Sequence, residues 1–280
     1  MDKLYDVLES LAARMESGFE PEDDDFVQDG IFYCGKCRTP KQSILTVNGK
    51  PRLFPTMCDC QRAAREAMEA SRRAAEEQRR IKGLRKMGFP DEELTRWTFA
   101  ADDRANAKLS DVAARYVENF DEMRRRHKGL LLYGTVGTGK TFAACCIANA
   151  LIDKGYPCLV TNFPRLVNTV SGMFDGRQEY IDGLNKFALL VIDDLAAERD
   201  TEYMTEIVQQ IIDARYRAGL PLIVTTNLTS DELKHPAEVR KQRIYSRLFE
   251  MCLPIEVSGK DRREKKLIED HKELKELLGL

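Results

Sequence analysis

Apolar residues recur along this chain with two different periods, and the switch between them lays out its architecture. From residue 4 to 19, Leu4, Leu8, Leu11, Met15 and Phe19 keep helical spacing with charged residues between them. Ile44-Leu45-Thr46-Val47 and Arg52-Leu53-Phe54 flank Asn48-Gly49, the pattern of a hairpin closed by a tight turn. Residues 61–87 are rich in helix formers but poor in large apolar side chains, which predicts an exposed helix ending near Gly88 and Pro90. Beyond it the rhythm changes. Continuous apolar runs at 130–133, 158–163, 187–195, 220–228 and 251–257 alternate with helical patterns at 105–126, after 141, at 165–174, at 203–218 and around 243–248, and a charged terminal helix follows. Buried strands alternating with helices predict an α/β fold built on a parallel five-stranded sheet. The boundaries expected are a small module over 1–60, a charged helical linker over 61–88 and the α/β domain over 89–280.

Charge and composition refine this outline. The net charge of −2 conceals an acidic patch at Glu20, Glu22, Asp23, Asp24 and Asp25 and an arginine-rich stretch over 62–86. The first reads as a solvated linker and the second as a solvated helix face, with contact to nucleic acid as the alternative for the second. No apolar run approaches a membrane span, and Met1-Asp2-Lys3 leads into no signal-peptide core. With eight cysteines and no secretory signal, the expectation is a cytoplasmic protein whose cysteines are thiols or metal ligands.

The chemistry concentrates at the ends of the apolar runs. Gly134-Thr135-Val136-Gly137-Thr138-Gly139-Lys140-Thr141 joins a strand to a helix and fits the phosphate-binding pattern GxxxxGK[ST]. Its glycines let backbone N–H groups curl around an anion, and the helix N-terminus adds partial positive charge. Lys140 is placed to reach the β- and γ-phosphates of ATP and Thr141 to ligate Mg²⁺. Leu189-Leu190-Val191-Ile192 ends in Asp193 and Asp194, some fifty residues on. Asp193 is expected to hold Mg²⁺ through water and Asp194 to orient the attacking water; the plainer role is capping of the next helix. Asn227 stands at the C-terminal tip of the fourth strand, the edge of an open parallel sheet where ligands sit. Trp97 and Phe99 are candidates for an adenine wall or for plain packing.

Cys34-Gly35-Lys36-Cys37 and Cys58-Asp59-Cys60 bracket the expected hairpin, the layout by which two loops bring four thiolates to one Zn²⁺. The histidines (His127, His235, His271) are distant, so the site is all-cysteine, with an iron–sulfur cluster as the alternative. Cys145, Cys146, Cys158 and Cys252 lie in apolar runs and read as inert core thiols.

The cysteine-rich module, Gly134–Thr141, Leu189–Asp194, Thr225-Thr226-Asn227 and Gln242-Arg243-Ile244-Tyr245-Ser246-Arg247 together resemble the bacterial replicative helicase loaders of the DnaC and DnaI type. From about residue 95 the chain is also similar to the IstB transposition ATPases. The resemblance implies an AAA+ ATPase in which Asn227 is the sensor-1 residue, Arg247 the arginine finger and Arg262 or Arg263 the sensor-2 arginine. It implies slow, switch-type ATP hydrolysis, self-association through AAA+ interfaces, and as partners the replicative hexameric DNA helicase and single-stranded DNA, with no membrane. Many AAA+ proteins have glutamate where this chain has Asp194, one methylene shorter. Phe163, Arg165, Phe174, Arg177 and Lys186 cluster after the second strand as candidate DNA contacts, the two phenylalanines reading more naturally as core. The readings that compete are an IstB-like regulator acting on duplex DNA, a nucleotide-locked module that does not hydrolyse, and a small-molecule P-loop kinase, against which Asn227 and Arg247 argue.

Overall fold

The computed structural model describes residues 20–195, 202–259, 261, 271, 272 and 274–279. The amphipathic segment expected at 4–19 lies outside them, as do Arg262 and Arg263. The chain divides into two compact units between Gln78 and Arg79.

The first unit holds two antiparallel hairpins, β1 (Phe26–Gln28) with β2 (Ile31–Tyr33), and β3 (Gln42–Val47) with β4 (Lys50–Pro55). Their turns are Asp29-Gly30 and Asn48-Gly49, with φ of 52° and 77° in the first and 52° and 75° in the second. Two successive positive φ angles are what a two-residue turn needs to match the twist of its strands. The β3–β4 hairpin was expected; β1–β2 was not, because strands of three residues are too short to show a period. Lys41 is buried and pairs with Glu22 at 3.0 Å and Asp25 at 2.7 Å, with 3% of the Lys41 side chain and 1% of Asp25 exposed. The hydrogen bond from Lys41 holds the Asp25 carboxyl below the usual carboxylate range. Part of the acidic patch is therefore a staple on the hairpins and not a solvated linker.

Helix α1 (Asp59–Gly88) is exposed along most of its length and carries i,i+4 ion pairs such as Arg65–Glu69 and Arg72–Glu76. Such a helix draws little from burial, as its lack of large apolar residues predicts.

In the second unit β5 (Gly129–Tyr133), β6 (Cys158–Asn162), β7 (Leu189–Leu195), β8 (Leu222–Thr226) and β9 (Cys252–Glu256) form one parallel sheet in the order β6-β7-β8-β5-β9. Leu130 and Leu132 enter one core cluster and Leu131 the other; Leu189 and Val191 alternate likewise with Leu190 and Ile192. That two-sided burial is why these strands read as continuous apolar runs. On the first face lie α2 (Ala107–Glu118) and α4 (Lys140–Asp153); on the second lie α5 (Phe163–Ser171), α7 (Glu202–Arg217) and α9 (Val239–Met251). Three shorter α-helices are α3 (Phe120–Arg125), α6 (Arg177–Gly183) and α8 (Ser230–Lys234).

A single helix was expected over 105–126, but the chain breaks at Asn119 (φ −100°, ψ 19°). The Asn119 side chain donates to the Arg115 carbonyl at 2.8 Å, competing with helical continuation. The break lets Phe120 turn inward against Tyr116 and Tyr156, with ring centroids 6.0 and 5.0 Å away.

Arg215, only 1% exposed, is the largest fully buried side chain among the described residues. Its guanidinium donates to the carbonyls of Pro221 at 2.7 Å, Phe187 at 2.8 Å and Ala188 at 3.2 Å, tying α7 to the loops that enter β7 and β8. Burial pulls its pKa down to about 10, so it stays charged at neutral pH. Arg215→Met keeps much of the volume but strands these carbonyls; unfolding by urea should show a loss of about 3 kcal/mol or more, given roughly 1–3 kcal/mol per buried unpaired group.

Candidate functional site

The C-terminal edge of the sheet gathers the sequence-marked residues. β5 runs into Gly134 and the loop ends where α4 begins at Lys140. Gly134, Gly137 and Gly139 take φ of 125°, 75° and 95°, values an L side chain rarely adopts. The Asp261 carboxylate lies close beside Gly137. The Thr138 hydroxyl donates to the Thr135 carbonyl at 2.8 Å and tightens the loop. Lys140 is buried and its Nζ donates to the carbonyls of Gly134 at 2.9 Å and Thr135 at 2.7 Å. A lysine drawn over the glycine loop at the start of a 14-residue helix is an arrangement suited to receive an anion.

The acid pair sits opposite this loop because of a local defect in the sheet. The β7–β8 register shifts between Ile192 and Leu195, and Asp194 has φ of 55°. The bulge re-aims Asp193 and Asp194, which perfect alternation would send to opposite faces. Asp193 Oδ1 accepts the Thr141 hydroxyl at 2.8 Å and also the Thr225 hydroxyl. Thr225 in turn accepts the backbone N–H of Asp194 at 3.0 Å. Burial pushes Asp193 above the usual carboxylate range, and the Asp194 charge pushes the same way; the hydroxyls of Thr225 and Thr141 and the Lys140 charge pull against them. A hydroxyl and a carboxylate oxygen this close, beside a lysine, form a hard oxygen donor set that fits Mg²⁺ carried by a triphosphate. Thr225 was missed from sequence, where it reads as one more buried position of its strand.

Asn227 is exposed one residue beyond β8, on the same edge as Asp193. Arg247 lies on α9 and pairs with Asp213 of α7. Beside the loop, Phe99, Asn106, Gly139 and Phe142 line a small cavity, and the Trp97 ring packs tilted against Phe142, their centroids 5.9 Å apart. Asn149 of α4 fixes that segment by donating to the carbonyls of Leu94 and Trp97, each at 3.0 Å.

The cysteines assemble as their spacing predicts. The sulfurs of Cys34, Cys37, Cys58 and Cys60 all lie within 4.8 Å of one another. Zinc 2.3 Å from each of four sulfurs requires tetrahedron edges of about 3.8 Å. The Cys34–Cys60 and Cys58–Cys60 sulfur distances are 3.5 and 3.8 Å, so the group fits. The Thr39 hydroxyl and the backbone N–H of Cys60 draw the Cys37 thiol down to about 5, while the crowding sulfurs of Cys37 and Cys34 push Cys60 up to about 12. Full-length protein should carry one zinc per chain by elemental analysis. Cys37→Ser should lose it, and proteolysis should then cut within residues 20–58 while nucleotide binding by the second unit persists. Metal-free protein that resists proteolysis there would refute the assignment.

The candidate DNA contacts separate. Phe163 is core, whereas Phe174 is 100% exposed between α5 and α6, against the expectation that both are buried. Arg177 follows in the next turn, its Nε on the Met173 carbonyl at 2.8 Å. Arg165 is exposed at the start of α5, where Asn162 caps its N–H at 2.9 Å. Lys186 lies over the Phe187 ring at 5.1 Å. The thiols expected to be inert, Cys145, Cys146, Cys158 and Cys252, are buried in the cores, and burial raises Cys145, Cys158 and Cys252.

A nucleoside triphosphate is the ligand that this loop, lysine and acid pair fit, and the fold is that of the AAA+ P-loop proteins. More particularly, the chain belongs to the family of IstB-like ATP binding proteins, which matches residues 63–269. It is 26% identical over 207 residues to the replicative helicase loader DnaI of Bacillus subtilis, which covers 69% of this chain and 66% of DnaI. It is 27% identical over 125 residues to the replicative helicase loader DnaC of Escherichia coli, 43% of this chain and 50% of DnaC. A crystal structure of DnaI superimposes with a TM-score of 0.52 at 26% identity, spanning 61% of this chain and 96% of that one. The matched stretch thus spans under two thirds of the length of these curated relatives. Among the described residues no helix is long and apolar enough to cross a membrane.

Proposed function

We propose that this protein is an ATP-dependent loader that binds a replicative hexameric helicase and delivers it to single-stranded DNA, acting in the cytoplasm and assembling through its AAA+ faces. The likeness to DnaI across the ATPase unit carries this reading. In it, the backbone of Gly134–Thr141 cradles the ATP phosphates and Lys140 leaves its loop carbonyls for the β- and γ-phosphates. Mg²⁺, when bound with ATP, offsets the phosphate charge. Thr141 and Asp193 hold that ion, and Thr225 fixes the Asp193 rotamer by its hydrogen bond. Asp194 and Asn227 orient the attacking water, Arg247 reaches the γ-phosphate of a neighbouring subunit, and Arg262 or Arg263 completes the site. Asp194 is one methylene shorter than glutamate, which favours slow hydrolysis that serves as a release switch. The zinc module is the helicase-binding part.

The fully exposed Phe174, with Arg165 and Arg177 nearby in sequence, supports the DNA contact. Stacking on a base is worth roughly 1–3 kcal/mol, so Phe174→Ala should weaken ATP-dependent binding of an oligothymidine by about tenfold or more. Arg165→Ala and Arg177→Ala should each flatten the salt dependence. Unchanged affinity in all three variants would move the site elsewhere.

The loader reading is tested by co-purification with the host's replicative helicase, followed by helicase recruitment to coated single strands. The second reading, an IstB-like regulator of transposition on duplex DNA, draws on the family match. That match begins at residue 63, after the cysteine module, whose presence favours the loader. Preference for duplex over single strands, with no helicase captured, would select the second reading.

A further inference from the structure

Arg247 is held from two sides in a way its proposed role does not by itself require. Its Nη1 pairs with Oδ1 of Asp213, and both atoms are buried, yet 35% of the arginine side chain remains exposed. One guanidinium nitrogen is thus buried at Asp213 while part of the side chain stays exposed. Tyr216, three residues after Asp213 on α7, places its ring centroid 5.9 Å from the guanidinium carbon. The Tyr216 hydroxyl donates to Glu250, which returns to α9. Arg243, one turn before Arg247, is exposed.

We propose that Asp213 is a positioning residue for Arg247: it anchors one arm of the guanidinium so that the other projects, already ordered, toward the triphosphate of a neighbouring subunit. This rests on the reading of Arg247 as acting in trans. Arginine carries many rotamers, and ordering it only in the transition state would raise the barrier. A carboxylate on one nitrogen and a ring beside the plane remove that freedom in advance. The Asp213 charge offsets part of the arginine's field, so the gain is in orientation and not in charge. Asparagine keeps an acceptor oxygen at the same place and should therefore preserve more function than alanine.

Steady-state ATP hydrolysis by the assembled full-length chain tests this. Asp213→Ala should lower kcat by about 10–100-fold, the range seen when a partner that orients a metal-bound side chain is removed. KM for ATP should change little, with Asp213→Asn intermediate. The double variant with Arg247→Ala should be no slower than Arg247→Ala alone. Mixing Asp213→Ala with Lys140→Ala should restore part of the rate, since some interfaces then pair an intact cradle with an intact arm. Mixing Asp213→Ala with Arg247→Ala should restore nothing, because both are defective in the same arm. If Asp213→Ala does not fold, as its thermal transition would show, Asp213→Asn enters the same mixtures with the same pattern expected. Full kcat in Asp213→Ala overturns the proposal. So does a slow Asp213 variant that Lys140→Ala fails to complement while Arg247→Ala is complemented. If Arg247→Ala is not complemented either, the trans reading itself fails and this proposal falls with it.

Discussion

Lys140→Ala should lose ATP binding by about 10²–10⁴-fold, the cost of removing two charge-assisted hydrogen bonds at roughly 1.5–3 kcal/mol each. In the structure Nζ is occupied by the carbonyls of Gly134 and Thr135, so the lysine is already drawn over the loop by contacts that a phosphate can replace. The exchange trades two neutral acceptors for anionic oxygens, the stronger partners for a buried cation. Alanine removes the cation and leaves the glycine conformations intact, so the loop survives as a shape without its charge. Calorimetric titration with ATP and Mg²⁺ measures the loss, and unaltered thermal unfolding without nucleotide separates it from misfolding. A shift of less than tenfold would mean that the phosphates rest elsewhere. Thr141→Ala should lose less, because Asp193 retains the Thr225 hydrogen bond.

The contrast between Lys140 and Thr225 shows what sequence alone carries. The phosphate loop is legible because its chemistry depends on backbone conformation, and only glycine at fixed spacing satisfies it. The five strands are legible for a related reason: burial on both faces leaves continuous apolar runs. Thr225 carries no such mark. Its hydroxyl holds Asp193 and the N–H of Asp194 only because the β7–β8 register slips, and a bulge leaves no trace in a run of apolar letters. Arg215 and Lys41 were hidden by the opposite habit, since a charge within an amphipathic pattern is read as solvent-facing. Both are buried because carbonyls or carboxylates converge on them from segments distant in sequence. Phe174 escaped for the converse reason: an aromatic residue near a helix reads as core, and its full exposure follows from α5 ending at Ser171. The four-cysteine cluster was legible because metal geometry constrains spacing as strictly as a phosphate does.

Arg247→Ala should bind ATP as the unaltered protein does and yet hydrolyse it about 10³–10⁵-fold more slowly in the assembled state, the range for an arginine supplied to a P-loop site from outside. The plainer reading is a partly buried ion pair, whose loss shows in stability and not in turnover. That pair is with Asp213 and not with Glu250, the partner its sequence spacing suggests; Glu250 is taken by the Tyr216 hydroxyl. The two readings separate in a mixture. Arg247→Ala has an intact cradle and no finger, Lys140→Ala an intact finger and no working cradle, and neither supports turnover alone. Combined, they form some interfaces that unite the two intact halves, so rate should return in proportion to the second protein added. A residue acting on its own subunit's nucleotide cannot be rescued this way, because each chain carries one of the two defects wherever it sits. Full activity in Arg247→Ala alone would leave the ion pair as its whole role and make the exposed Arg243, one turn earlier on α9, the next residue to replace.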